Sequence, residues 1–211
     1  MYFFLEKRYT HKKKYRRPDM IVENINFVII DFLTLFKMNY HIKPCVEAQL
    51  PEIMEIFNEA IINTSSVYDY HPRTMDDMMI WYYAKIKGDY PLIGLFDQHD
   101  DLLGFGTYGT FRGRSAYKYS IEHSVYVRTD VRGNGLGKAL LNEVINRAIL
   151  DDYHVLVGGI DSGNEISIRL HEKMGFEFSG TVRHAGYKFG KWLDLSFYQL
   201  ILKTPLNPIE E

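Results

Sequence analysis

Three glycines spaced two residues apart, Gly133, Gly135 and Gly137, carry the clearest chemical signal in the sequence. They join an alternating apolar segment to one with helical spacing, in the run VYVRTDVRGNGLGKALL from residue 125 to residue 141. A strand, a glycine turn and a helix in this order direct backbone N–H groups and a helix N-terminus at one point, where phosphate binds without a metal. The pattern therefore predicts a site for a ligand that carries a pyrophosphate.

The spacing of these glycines excludes two common nucleotide-binding turns. A P-loop requires G-x-x-x-x-G-K-[ST], whereas only three residues separate Gly133 from Gly137, and Ala139 stands where the hydroxyl should be. A dinucleotide-binding turn requires G-x-G-x-x-G, and these glycines are one residue short of that pattern. What remains is R-x-x-G-x-G, formed by Arg132, Gly135 and Gly137. A glycine-rich connection that binds no ligand stays open as the alternative.

Composition and charge favour a small-molecule site. The 211 residues suit one domain, or one domain with an appendage, and 46% of them are hydrophobic. The single cysteine, Cys45, excludes an internal disulfide and a cysteine-based zinc site, which predicts an intracellular, cytoplasmic protein. The first 37 residues hold eight Lys/Arg and four Asp/Glu, so the remainder carries a net charge of −6. Such an acidic body is a poor general binder of nucleic acid.

The first 37 residues differ from the rest of the chain. Lys7–Arg17 is a basic run that contains tyrosines, and Ile25–Phe36 is an apolar stretch interrupted by Asp31. No A-x-A-like cleavage site follows, so a signal peptide is not indicated, and the apolar stretch is too short to span a bilayer as a helix. We expect residues 1–37 to be a dispensable or disordered extension without stable membrane insertion; an interfacial anchor is the alternative.

The remaining sequence predicts strands with interspersed helices, which corresponds to an α/β or α+β sheet sandwich. Helices are expected at Leu50–Ile61, Met75–Lys87, Leu136–Leu150 and Asn164–Met174. The last of these is expected to bury Ile166, Leu170 and Met174. Strands are expected at Asn39–Cys45, Pro91–Phe96, Leu102–Tyr108, Tyr119–Arg128, Val155–Ile160, Phe176–Val182 and Leu193–Leu202, with a loop at Arg183–Trp192.

A second run, NEISIRLHEKMGF from Asn164 to Phe176, makes the glycine pattern specific. Together, the two runs resemble the two adjacent cofactor motifs of the GNAT family of N-acetyltransferases. The segments IEHSVYV (121–127), SIRLHEKMGF (167–176) and AGYKFGKWLDLSFYQL (185–200) further resemble the phosphinothricin and methionine sulfoximine/sulfone acetyltransferase branch. NTSSVYDY (63–70) and FRGRSAY (111–117) are also similar to that branch.

The resemblance covers about residues 40–203, so we expect an N-acetyltransferase domain at 38–203 and a C-terminal tail at 204–211. It implies a mixed, mostly antiparallel, twisted sheet flanked by helices, with a split between two central strands that holds acetyl-CoA. It further implies direct acetyl transfer in a ternary complex, without a metal, to the α-amine of phosphinothricin, methionine sulfoximine or methionine sulfone. A homodimer and a role in detoxification or metabolite recycling also follow from the resemblance.

Two side chains are candidates for moving protons. Free amino acids carry protonated amines at neutral pH, so transfer to an amine needs a base. Period-two alternation places Glu122, Ser124 and Tyr126 on one face of their strand, opposite His123 and its i+2 neighbours. The branch has its base at the glutamate that matches Glu122; a solvated strand carboxylate is the alternative. His171 stands where many relatives have a tyrosine that protonates the leaving thiolate, and histidine titrates near neutrality. A packing histidine without catalytic function is the alternative there.

The resemblance also implies two sets of binding residues. Residues expected to contact the cofactor are Val125, Tyr126, Val127, Arg132, Gly133, Asn134, Gly135, Leu136, Gly137, Lys138, Asn164, Ser167 and Lys173. The backbone of Val125 and Val127 is expected to pair with the pantetheine amides as an added strand would, while Asn164 is also a natural helix cap. Residues expected to bind the substrate are Arg112, Arg114, Tyr68 and Tyr187. Arginine suits a carboxylate, although loop arginines are usually only solvated.

Two other functions remain open at this stage. Acetylation of a protein or peptide amine would need an open groove instead of a closed pocket. A non-catalytic module that binds coenzyme A would use the same glycine turn, and the presence of both Glu122 and His171 argues against it.

Overall fold

A computed structural model describes residues 39–210, so the predictions for residues 1–37 lie outside the described part of the chain. The strands are His41–Pro44 (β1), Leu92–Phe96 (β2), Leu102–Thr110 (β3), Ser120–Val127 (β4), Val155–Asp161 (β5), Glu177–Lys188 (β6) and Lys191–Ile201 (β7). The helices are Leu50–Asn63 (α1), Met75–Lys87 (α2), Leu136–Leu150 (α3) and Glu165–Lys173 (α4). None of the helices in this part is long and apolar enough to cross a membrane.

The seven strands form one mixed sheet in the order β1-β2-β3-β4-β5-β7-β6. Only β4 and β5 are parallel, and every other neighbouring pair is antiparallel. This confirms the predicted fold class, and the predicted helices are all present. Local signals explain where they begin: Pro51 lies in the first turn of α1, and Thr74 and Asp77 form a capping box at the start of α2.

Helices cover both faces of the sheet. On one face, Phe57 of α1 contacts Phe105 and Tyr126, with ring centroids 6.3 and 5.0 Å away. On the other face α3 approaches closely, because a Cβ added to Gly106 would lie 2.8 Å from Val144 Cγ2. We call these the α1 face and the α3 face. Residues directly opposite on neighbouring strands share a face, so the register assigns every strand residue to one of the two.

The predicted loop at 183–192 is wrong, because β6 and β7 continue almost to each other and form a long hairpin. Its turn consists of Phe189 and Gly190, with φ of +52° and +74°. Positive φ at both central residues is the type I′ geometry whose twist matches the flanking strands. A phenylalanine in the first position hides this turn from a search for Asn-Gly or Asp-Gly. The irregular register between Val182 and Gly186 accommodates the intervening residues.

The sheet is split between β4 and β5, as predicted. The two strands pair only from Ser120 to Glu122 on β4 and from Val155 to Val157 on β5. Beyond that point β4 continues to Val127 beside β3, and β5 continues beside β7. We call the end of the β4–β5 ladder the apex of the split.

Candidate active site

The glycine turn has the geometry of a phosphate cradle. Gly133 and Gly135 have φ of +86° and +77°, and a Cβ at either position would meet nothing within 4 Å. Gly135 is the N-cap of α3, and the first bond of that helix runs from the Ala139 N–H to the Gly135 carbonyl. The N–H groups of Leu136, Gly137 and Lys138 therefore have no partner within the helix. The Leu136 side chain is buried, so only its backbone is available to a ligand.

Two polar side chains hold the turn in place. Arg132 donates through Nε to the Val127 carbonyl at 2.9 Å and through a terminal nitrogen to Glu59 of α1 at 2.8 Å. Asn134 donates to the Val131 carbonyl at 3.0 Å. The predicted cationic side chain at Arg132 is thus beside the turn, where Glu59 pairs with it.

The β4 backbone presents free polar groups to the split. The Arg128 N–H donates to the Leu103 carbonyl at 2.9 Å, and bonded pairs alternate along an antiparallel ladder. In the observed register, Tyr126 therefore bonds to β3, whereas Val125 and Val127 direct their backbone groups into the split, where the Val127 carbonyl accepts from Arg132. This is the orientation expected for pairing with a pantetheine arm. Tyr126, also among the predicted cofactor residues, bonds to β3 through its backbone, and its ring packs against Phe57 and Phe105 in the core.

The predicted cofactor residues of α4 lie at its two ends. Asn164 caps the helix by accepting from the Ser167 N–H at 3.1 Å, so its capping role is confirmed. Lys173, at the other end, is exposed. The predicted apolar face of this helix is wrong at Ile166, which is 78% exposed, whereas Leu170 and Met174 are half-buried and His171 is buried. In so short a helix the side that faces the sheet is centred on His171.

Glu122 lies at the apex, on the α1 face. Burial raises the pKa of its carboxyl group, and the positive charge of Arg112 partly opposes this. Gly159 of β5 leaves space for the Glu122 carboxylate, because a Cβ on this glycine would lie 3.0 Å from Glu122 Oε1. The geometry thus places a partly buried carboxylate with a raised pKa where the two strands separate, which is suitable for a general base.

A group of charged side chains that the sequence did not predict lies near Glu122. Asn58 holds the backbone of Arg73 through two hydrogen bonds of 2.8 and 2.9 Å. The Arg73 guanidinium lies 4.2 Å from the ring centroid of Phe57 and 3.2 Å from Asp69. Burial raises the pKa of Tyr126 to about 12, and the charges of Arg73, Asp69 and Glu122 all act on its hydroxyl. A polar cluster therefore lies beneath the α1–α2 loop.

His171 lies on the α3 face, opposite Glu122. Its Nδ1 is 2.7 Å from the Ser167 carbonyl, and its Nε2 is 3.3 Å from Nε2 of His123. Burial lowers the pKa of His171, while the bond to Ser167 opposes this. The two predicted proton-moving groups thus flank the apex from opposite faces of the sheet.

The structure brings two of the four predicted substrate residues, Arg112 and Tyr68, to the α1 face, where the positive charge of Arg112 acts on Glu122. Arg112 and Arg114 also line a cavity of about 270 Å³ that Ile121 and Tyr153 close from the α3 face. The Tyr68 ring lies over Gly186, and its hydroxyl is buried without a partner among residues 39–210. Tyr187 is different, because its side chain lies on the opposite face of the hairpin beside Trp192, with ring centroids 5.1 Å apart.

Comparison with known proteins agrees with this geometry. The profile of the Acetyltransferase (GNAT) family matches residues 50–176, which is more than half of the chain. The chain belongs to this family.

Proteins with established names refine the GNAT assignment. An L-methionine sulfoximine/L-methionine sulfone acetyltransferase from Pseudomonas paraeruginosa is 41% identical over 78% of this chain and 96% of its own length. A phosphinothricin N-acetyltransferase from Streptomyces coelicolor is 31% identical over 75% of this chain and 94% of its own length. A phosphinothricin acetyltransferase from Sinorhizobium meliloti, solved with acetyl-CoA, is 30% identical, with a TM-score of 0.77 over 81% of this chain and 93% of that one.

Sequence reasoning missed the two adjacent glycines of β5 in this GNAT domain. Gly158 faces the histidines and Gly159 faces Glu122, so each leaves room for one candidate group on its own side of the sheet. The available signal was the Gly-Gly pair inside a buried strand, since glycine there often marks a close approach. In residues 39–210, no three His, Cys, Asp or Glu side chains are grouped to hold a metal ion.

Proposed function

We propose that this protein transfers the acetyl group of acetyl-CoA directly to the α-amine of a small amino acid in a ternary complex. Phosphinothricin, methionine sulfoximine and methionine sulfone are the acceptors we propose, because similar proteins carry those names. The observation that carries the proposal is the position of Glu122. Its partly buried carboxyl group lies at the apex of the split, on the strand that leads into the phosphate cradle.

The chain fits coenzyme A at two points. The open space over Gly133 and Gly135, together with unpaired N–H groups at the start of α3, suits the pyrophosphate. The N–H and carbonyl of Val125 and the N–H of Val127, which face away from β3, suit an extended amide-containing arm. When bound, acetyl-CoA supplies the activated acetyl group. Lys138, Asn164, Ser167 and Lys173 complete the proposed cofactor contacts.

The chain's own part in the reaction is to bind the amino acid and to accept its proton. We propose that Arg112 and Arg114 hold the substrate carboxylate, since a guanidinium presents two parallel donors to it. Burial raises the pKa of Tyr68 to about 12, so its unpartnered hydroxyl remains protonated and can donate to a polar substrate group. Glu122 then accepts the proton of the amine, and Tyr187, whose side chain lies on the opposite face of the hairpin, is not part of the proposed substrate site.

Replacing Arg132 with glutamine should weaken binding of coenzyme A about five- to tenfold, the loss expected for one partly exposed ionic hydrogen bond. The difference from the unaltered protein should shrink at high salt because exposed charges are screened. Isothermal titration with coenzyme A measures both effects. Arg128→Gln is the matched control, since Arg128 pairs with Asp130 at 2.7 Å instead. Equal affinity of the Arg132 variant and the unaltered protein would remove Arg132 from the site.

We further propose a cytoplasmic homodimer that detoxifies amino-acid analogues by blocking their amine. The exposed apolar side chains of the β6–β7 hairpin support a dimer, and they are Phe178, Val182, Phe189 and Trp192, each more than half exposed. The single cysteine supports a reducing compartment. Sedimentation analysis tests the dimer, and a single species with the mass of one chain at micromolar concentration would contradict it.

The experiment that tests the function is an acceptor panel with acetyl-CoA, in which free thiol is followed over time. We expect thiol release and an N-acetylated product with at least one of the three proposed acceptors. Glu122→Gln is the control for thiol that is released from acetyl-CoA without catalysis by the proposed active site. If none of the three gives release above background while peptide amines do, the substrate class is wrong even though the family assignment stands.

A further inference from the structure

A second histidine, absent from the predicted site, contacts His171. His123 and His171 are 7% and 6% exposed, and their ring planes are 18° apart with Nε2 atoms 3.3 Å apart. Phe176 packs edge-on against both rings, with centroids 5.4 and 5.0 Å away. His123 is the first β4 residue beyond the β4–β5 ladder, so the pair lies at the apex.

Hydrogen-bond partners determine which nitrogens carry protons. The Ser167 carbonyl can only accept, so His171 Nδ1 must donate to it at 2.7 Å. A neutral His171 then has a bare Nε2, which needs a donor from His123. The Nδ1 of His123 is buried without a partner in the described part of the chain. A bare Nδ1 leaves only an acceptor unpaired there, whereas a protonated one would leave a buried N–H without a partner.

We propose that His123 is a positioning residue whose Nε2–H donates to His171 Nε2 and thereby holds His171 as the neutral tautomer protonated on Nδ1. Protonation of His171 on Nε2 would put two N–H groups face to face unless His123 moved its own proton to the unpartnered Nδ1. The pair therefore resists taking up a proton. Burial acts in the same direction, since it lowers the pKa of His123 to about 3.

The neighbouring strands direct tyrosines, not charged side chains, at the pair, while Asp151 bonds to the first of these tyrosines and the charge of Glu172 acts on the second. Tyr108 lies directly opposite His123 on β3, and Tyr198 lies directly opposite Gly158 on β7. Burial raises the pKa of both tyrosines, so both are neutral. Gly158 provides the space, because a Cβ there would lie 3.0 Å from His123 Nε2 and 3.2 Å from His171 Nε2.

The tautomer assignment stands on the hydrogen bonds alone, and its consequence for acetyl transfer rests on the proposed function. His171 occupies the position where a proton donor to the leaving thiolate was predicted. With its Nε2 bare and its Nδ1 bonded to Ser167, His171 accepts a bond at the apex instead of donating one. At the apex, Glu122 on the α1 face thus accepts protons, whereas the neutral histidine pair on the α3 face does not exchange them.

Imidazole nitrogen NMR of the ¹⁵N-histidine-labelled full chain tests the tautomers directly and needs no acetyl transfer. We expect His171 to be protonated on Nδ1 and His123 on Nε2, both unchanged between about pH 5 and pH 8, where ordinary histidines titrate. His171→Phe and His123→Phe assign the signals. A spectrum with His171 protonated on Nε2, or a doubly protonated His171 at neutral pH, would overturn the proposal.

Two variants separate positioning from packing. His123→Phe removes the donor, and the pKa of His171 should rise by about one pH unit, as expected for losing one hydrogen bond to its neutral form. Gly158→Ala should act in the same direction by pushing the rings apart, and it protects the test should His123→Phe fail to fold. Gly159→Ala, on the opposite face of the same strand, is the matched control and should leave the His171 signals unchanged. Unaltered titration of His171 in both test variants would contradict the role of His123.

In the acetyl transfer assay, the charge of a protonated His171 should add a second fall in kcat at acid pH in His123→Phe, besides the limb set by Glu122, while KM for acetyl-CoA stays constant. A purely packing role would lower stability without adding that second fall. Failure of the proposed function would leave the assay silent in all variants, including the unaltered protein. The NMR result would then still decide the tautomer assignment.

Discussion

Replacing Glu122 with glutamine is expected to lower kcat about 10²- to 10⁴-fold at neutral pH, the range typical for losing a general base. Glutamine has nearly the same shape but cannot accept the proton of the amine. KM for acetyl-CoA should hardly change, because the phosphate cradle lies at the far end of β4 from this residue. Steady-state assays with saturating acceptor measure both constants.

The pH dependence adds a second test of Glu122. Burial raises the pKa of its carboxyl group, and the base works only when deprotonated. Activity should therefore fall as pH drops through that raised pKa, which lies above the ordinary value for a glutamate. In Glu122→Gln this limb should be absent, and the remaining rate should rise with pH as more amine becomes neutral without help.

A matched control is available on the surface. Glu177→Gln removes an exposed carboxylate at the start of β6 and should leave kcat unchanged. If Glu122→Gln retained full activity at neutral pH, the base would be elsewhere, and the carboxylates of the cluster around Arg73 would be the next residues to replace.

The parts of the site that were predictable from sequence depend on local rules. Strict alternation along β4 correctly placed Glu122 and Tyr126 on one face and His123 on the other. The glycine turn was predictable because its positive φ angles and the helix that follows are encoded within a few residues. The capping role of Asn164 was likewise a local signal.

The parts that were not predictable depend on residues far apart in the chain. Whether His171 is exposed or buried is decided by its contact with His123, 48 positions earlier, and by the space over Gly158. Helical periodicity instead favoured Ile166 as a buried residue, and the structure leaves it exposed. The hairpin of β6 and β7 was obscured by its Phe-Gly turn, so Lys188 fell within a predicted loop although its side chain is buried.

Lys188 connects this hairpin to the α1–α2 loop. Its ammonium group donates to the carbonyls of Ile61, Thr64 and Val67 at 2.6, 3.0 and 2.7 Å, although the residue is only 6% exposed. Two of these carbonyls lie at the end of α1, where helices leave carbonyls without partners. Burial lowers the pKa of Lys188, and the negative charge of Asp69 opposes this.

Replacing Lys188 with methionine is therefore expected to destabilise the protein by about 2–4 kcal/mol, because it leaves three carbonyls without their charged donor. The corresponding fall in Tm is roughly 5–15 °C. KM for the amino acid should rise more than KM for acetyl-CoA, since the released loop carries Tyr68. Lys191→Met is the control, because Lys191 lies directly opposite on β7 and is exposed. Thermal unfolding and steady-state kinetics measure the two effects; equal Tm values for the two variants would show that the three carbonyls find other partners and that Lys188 does not hold the loop.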